Sequence, residues 1–145
     1  MKYSLSTKGK ELIQEFEGLS LTAYKDIVGV PTIGYGHTGH DVTPGLSITK
    51  EYADTLFGID IEKFVDAVNK LVSSPISQNQ FDALVSFSYN LGISSLSGST
   101  LLKLVNKEKY QEASNEFDKW VHAGGKVVKG LVKRRLKEKE LFLEK

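Results

Sequence analysis

The stretch Glu17–Thr38, EGLSLTAYKDIVGVPTIGYGHT, restricts the fold more tightly than any other segment. It sets two carboxylates, Glu17 and Asp26, and a hydroxyl, Thr32, along what reads as a β-hairpin. With Val28-Gly29-Val30 as the turn and Gly29 at its centre, Asp26 is expected opposite Thr32. Directly opposed partners share a face with their Cβ atoms roughly 5 Å apart. A carboxylate and a hydroxyl at that separation hold one water between them. Alternation puts Tyr24, Asp26, Thr32, Gly34 and Gly36 on that face, and the two glycines would leave bare backbone for an extended ligand. Pro31 removes a ladder donor and fits a turn or edge position.

Glu17 arrives from a helix. Leu12, Ile13 and Phe16 have helical spacing, Ser6 is the expected N-cap, and Gly18 is the expected C′ residue. Glu17 therefore falls in the last turn, where the helix dipole disfavours negative charge and the apolar neighbours Phe16 and Leu19 add desolvation. Both effects are expected to raise its pKa. A carboxylic acid that keeps its proton beside an ionised carboxylate is the arrangement glycoside hydrolysis requires.

The rest of the chain reads as helices. Thr49 is placed to cap a long helix running to about Val72, with Gly58 inside it. Ser73-Ser74-Pro75 ends it, and Ser77 to Gln80 forms a capping box for a buried helix carrying Phe81, Leu84, Val85, Phe87 and Leu91. Short helices are expected near Leu96 and over Ser99–Asn106, another over about Lys109–His122, a break at Gly124-Gly125, and a last helix over about Leu131–Leu143. The expected class is α+β and mainly helical. One domain spans residues 1–145, with a small β-hairpin lobe over about 15–50. A long helix joins it to a helical lobe over about 60–145 that includes the N-terminal helix, with the acids in a cleft between the lobes.

Composition excludes several chemistries. With no cysteine among 145 residues, neither disulfides nor thiolate metal sites contribute. The N-terminal sequence has no apolar stretch of signal-peptide type, so a soluble cytoplasmic protein without an export signal of its own is expected. Gly34 to Gly39 matches G-x-G-x-x-G, but HDVTPGLS follows where a dinucleotide site needs a helix. His37, His40 and Asp41 lie close in sequence without the further ligands zinc needs, so no metal is expected and His37 is read as a hydrogen-bonded or ion-paired residue. Tyr35 and Trp120 are read as packing residues, and Asn90, Ser99 and Thr100 as caps or cleft-lining groups. Residues 126–145 carry eight Lys/Arg against three Asp/Glu, a net of +5, whereas residues 1–125 carry eleven against fifteen, a net of −4. A basic end of this kind suits an anionic surface or a solvated helix face. The acidic main body argues against nucleic acid.

The spacing of Glu17, Asp26 and Thr32, set in EGLSLTAYKD and TIGYGHT, resembles that of the phage lysozymes and endolysins of glycoside hydrolase family 24. The likeness continues through SQNQFDALVSFSYNLG, STLLKLVN and FDKWVHAGGKVVKGLVKRR. The resemblance implies a muramidase that hydrolyses the β-1,4 bond between N-acetylmuramic acid and N-acetylglucosamine in peptidoglycan. By that likeness Glu17 is the general acid, and Asp26 with Thr32 positions and activates water in an inverting reaction. Gly34, Gly36 and Thr38 are candidate substrate contacts. The resemblance implies no metal or organic cofactor, and a monomer is the default. It also implies a host-cytoplasmic pool released through a separate pore to reach periplasmic peptidoglycan. The basic C-terminal helix is a candidate for contact with anionic wall or lipopolysaccharide. A membrane-active protein, a nucleic-acid-binding domain and a lytic transglycosylase are the competing readings.

Overall fold

A computed structural model describes residues 2–145. The order is α1 (Thr7–Glu17), β1 (Ser20–Lys25), β2 (Pro31–Gly34), β3 (His37–Thr38), α2 (Lys50–Leu71), α3 (Gln78–Leu91), α4 (Ile93–Ser97), α5 (Thr100–Asn106), α6 (Tyr110–Glu116), a 3₁₀ turn (Phe117–Lys119), β4 (His122–Ala123), β5 (Lys126–Val127) and α7 (Lys129–Leu143). The chain is mainly helical with two small antiparallel sheets, as its class predicts. Among the described residues, no helix is long and apolar enough to cross a membrane.

Contacts divide the chain into two units. One comprises Glu11–Lys63; the other comprises the N-terminal residues through Lys10 together with Phe64–Lys145. In the first, β1, β2 and β3 form a three-stranded sheet in sequential order. One core cluster there is Ile33, Val42 and Leu56, with Ala23, Leu46 and Ile48 packed against them. The segment after β3 returns along the free edge of β1, where Ala23 N donates to Leu46 O and Ile48 N to Leu21 O.

The predicted caps are present. Ser6 Oγ accepts from Gly9 N at 3.1 Å, and Gly18 N closes α1 on Gln14 O with Gly18 at φ +70°. Thr49 Oγ1 accepts from Tyr52 N at 3.1 Å. Ser77 and Gln80 make both bonds of the capping box. Ser99 accepts from Leu102 N, so its role is a cap.

Two expectations are corrected. The helix read as continuing to His122 ends at Glu116, tightens into the 3₁₀ turn, and gives way to β4. Gly124 and Gly125, read as a break, are instead the two central residues of a hairpin, at φ +59° and +78°. Two successive left-handed residues match the twist of paired strands, which only glycine supplies at little cost.

The second unit is built on α3, in which every residue from Phe81 to Ser88 is buried. Phe87 meets Phe117 and Trp120 edge-on, Phe117 meets Phe142, and Tyr3 stacks on Phe81. Inside this apolar packing lies a charge cluster: Arg134, Arg135 and Glu138 are 4%, 0% and 0% exposed. Glu138 Oε2 accepts from Ser86 Oγ and from Arg134 Nε at 3.3 Å. Arg135 Nε lies 2.8 Å from Glu138 Oε1, Arg135 Nη2 donates to Asn90 Oδ1, and its guanidinium sits 5.4 Å above the Phe87 ring. Burial pushes the Glu138 carboxyl up and Arg135 down, and the pairing opposes both shifts. Glu138→Gln leaves two buried guanidiniums without their counter-charge. It is expected to cost about 3 kcal/mol, measured as a lowered urea midpoint with unchanged slope.

Candidate active site

Glu17, Asp26 and Thr32 all belong to the Glu11–Lys63 unit. Glu17 is the last residue of α1 and is half-buried, followed by the left-handed Gly18 that turns the chain towards β1. Asp26 stands just beyond β1, in the turn rather than on the strand.

The turn differs from the predicted one. The observed pairs are Tyr24 with Thr32 and Lys25 with Pro31, and Asp26 N donates to Val30 O at 2.9 Å. Val28 is thus the centre, and Thr32 lies opposite Tyr24 instead of Asp26. The cause is local. Gly29 N donates back to Asp26 O at 2.9 Å and Gly29 sits at φ +86°. That is a three-residue loop in which a type I turn is followed by a left-handed glycine. Asp at the first position and Gly at the fourth is the sequence signature of that turn, and it was available to be read. The shift is two residues, an even number, so the alternation still assigns Asp26 and Thr32 to one face. They are now diagonal neighbours, a relation that separates backbones by roughly 7–8 Å.

Both residues are tied to the backbone of Val30. Asp26 Oδ1 accepts from Val28 N at 3.0 Å and from Val30 N at 2.8 Å. Thr32 Oγ1 donates to Val30 O at 2.8 Å. Among the described residues, Asp26 Oδ2 carries no hydrogen bond. One carboxylate oxygen is thus committed to holding the turn. The Thr32 hydroxyl spends its proton on Val30 and keeps lone pairs for accepting.

The glycine expectation needs correcting. The predicted single strand through Gly36 reverses at Tyr35, so that Thr32 pairs with Thr38 and Ile33 with His37 across β2 and β3. Gly34, at φ +67°, is buried, and a side chain there would touch Ala53 and Ile48. Its backbone is covered by α2 rather than bared to a ligand, and its conformation is what calls for glycine. Gly36 lies in the reversal at φ +89° and is only partly exposed. Thr38 is exposed and stands directly across from Thr32. Tyr35 packs edge-on against Phe57, the predicted packing role.

His37 is held between two carboxylates. Its Nδ1 lies 2.7 Å from Asp60 Oδ2, and its Nε2 lies 3.0 Å from Asp41 Oδ2. The pair joins β3 to α2 and to the loop that follows β3. Asp60 carries no sequence signal for this role, because its helix supplies many solvated carboxylates. Burial alone would lower the His37 pKa, but the hydrogen bonds and charges of Asp60 and Asp41 outweigh it and raise the value. The His37 hydrogen bond in turn lowers Asp41. A histidine raised on folding stabilises the protein below its unfolded value of about 6.5 and loses that contribution as pH rises through the folded one. An NMR titration of the ring should therefore have its midpoint above about 6.5. The melting-temperature advantage of the native chain over His37→Gln should shrink as pH rises from 6 to 9.

A family model described as phage lysozyme matches residues 14–138. The endolysin of Bacillus phage B103 is 50% identical over 145 residues, covering 97% of this chain and 54% of that protein. This chain therefore spans about half the length of that relative. The endolysin of Salmonella phage P22 is 41% identical over 143 residues and is covered over 97% of its own length. Among solved structures, the muramidase domain of SpmX from Asticaccaulis excentricus superposes with a TM-score of 0.92. It is 42% identical, with 99% of this chain and 100% of that chain covered.

Proposed function

The chain belongs to the phage lysozyme family, and on that premise we propose that it is a glycoside hydrolase acting on bacterial peptidoglycan. The bond cut is the β-1,4 linkage between N-acetylmuramic acid and N-acetylglucosamine, and the outcome is lysis of a host cell. Glu17 is the general acid that protonates the leaving oxygen. Asp26 is the general base for a water that attacks the opposite face of the sugar, with inversion.

The observation that carries this reading is the split commitment of Asp26, one oxygen bonded to two backbone N–H groups and the other without a partner among the described residues. A carboxylate so fixed is a poor mobile nucleophile and a well-placed base. Thr32 complements it. A water donating one hydrogen to Asp26 Oδ2 and the other to Thr32 Oγ1 presents its lone pair outwards, which is the orientation attack requires. Thr38, opposite Thr32, and Gly36 are the remaining candidate sugar contacts.

The protein acts as a monomer and reaches the wall from the host cytoplasm through a separately made pore. On α7, Lys129, Lys133 and Lys137 are exposed beside Val132 and Leu136, which supports a peripheral contact with anionic wall polymers or lipopolysaccharide.

Glu17→Gln and Asp26→Asn should each lower turnover on purified peptidoglycan at least about 100-fold while leaving the thermal melt nearly in place. Asparagine retains the Oδ1 acceptor, so the turn survives that exchange. Mass spectrometry of the digest should show hydrated muramic acid ends from the wild type and none from Glu17→Gln. Anhydro-muramic ends would identify a transglycosylase instead. Fresh product examined by NMR should carry the inverted anomer, and retention would remove Asp26 from the role of base.

A further inference from the structure

The pairs that set the hairpin register also decide which side chains border Asp26 and Thr32. Tyr24 stands opposite Thr32 and Lys25 opposite Pro31. Asp26 N donates to Val30 O at 2.9 Å, which sets Val30 opposite Asp26. Alternation carries Tyr24, Asp26, Val30 and Thr32 to one face, and Lys25 and Pro31 to the other. The four residues on the first face form the corners of a small grid. Its sides are roughly 5 Å across the strands and roughly 7 Å along each strand. Asp26 and Thr32 hold one diagonal, and Tyr24 and Val30 hold the other.

The two diagonals differ in chemistry. One carries a carboxylate and a hydroxyl; the other carries an aromatic ring and a branched aliphatic chain. Neither apolar corner is buried in the core, since Tyr24 is 44% and Val30 40% exposed, whereas Thr32 is 4% exposed. The Tyr24 hydroxyl makes no hydrogen bond among the described residues. A water held between Asp26 and Thr32 lies where the diagonals cross, with Tyr24 and Val30 on its two remaining sides. Its two hydrogens are both committed, one to each oxygen. A third acceptor beside it would compete for a hydrogen and turn the lone pair away from the sugar, and a gap there would admit a second water. Resting on the muramidase reading, we propose that Tyr24 and Val30 are positioning residues, an apolar collar that confines the water between Asp26 and Thr32 to one molecule in one orientation. The collar acts through the orientation of the nucleophile, so its effect belongs to kcat. A ring that served as a platform for the sugar would show in KM instead.

The test measures kcat and KM for new reducing ends on purified peptidoglycan, with a thermal melt of each variant. Val30→Thr adds a hydroxyl to the collar at nearly constant shape and keeps a residue that favours strands. Tyr24→Ser adds a hydroxyl and removes the ring. Each should lower kcat about tenfold while KM stays within about twofold of the wild type. Tyr24→Phe and Val30→Ile keep both corners apolar and should hold kcat within about twofold. Because Val30→Thr preserves the fold, it decides the case even where Tyr24→Ser lowers the melt. Wild-type kcat in Val30→Thr, beside an inactive Glu17→Gln, would overturn the collar alone. A raised KM at unchanged kcat in Tyr24→Ser would overturn it in favour of a sugar platform. Equal losses of kcat in Tyr24→Phe and Tyr24→Ser would also overturn it, because they would assign the role to the phenol hydroxyl. A wild type that releases no reducing ends would overturn the muramidase reading and the collar with it.

Discussion

The geometry of the candidate site depends on one carboxylate oxygen. Asp26 Oδ1 accepts two backbone N–H groups, from Val28 and Val30, and in doing so sets the turn, the register of β1 with β2, and the position of Thr32. Buried or turn-held N–H groups need acceptors, and a side chain two to four residues away supplies one locally without help from the rest of the fold. Thr32 then bonds the carbonyl of the same Val30, so the Asp26 carboxylate and the Thr32 hydroxyl are both anchored on the backbone of one residue.

Around that turn, the Glu11–Lys63 unit has a core cluster of Ile33, Val42 and Leu56. The His37 pairs with Asp60 and Asp41 add an electrostatic tie between β3, the loop after it and α2. The other unit is organised differently. There a helix buried along most of its length is surrounded by aromatic rings, and the interior holds a charge cluster whose anion answers two cations. Burying three charged groups is costly unless each finds partners. Ser86 and Asn90, on the helix that faces the cluster, are such partners.

That cluster also changes how the charge pattern is read. Residues 126–145 look strongly basic in sequence, yet Arg134, Arg135 and Glu138 are inside the protein. The surface of this segment therefore carries six cations against two anions, drawn from eight and three, and its basic character rests on lysines. Composition counts charges without regard to burial, which is why it assigned two interior arginines to the surface.

The sequence by itself determined the helix boundaries at Ser6, Gly18, Thr49 and Ser77, and the presence of a hairpin beginning near Asp26. These are set by caps, left-handed glycines and apolar period, all of which act within a few residues. The face shared by Asp26 and Thr32 was legible for the same reason, because a two-residue error in register leaves parity intact. What only the tertiary structure decided was long-range: that β2 turns back into β3, that Gly34 is covered by Ala53, that Asp60 answers His37, and that Glu138 sits between two arginines. Each of these depends on groups far apart in the chain meeting in space, and residue type alone does not say which of many similar carboxylates, arginines or glycines will be the one that meets a partner.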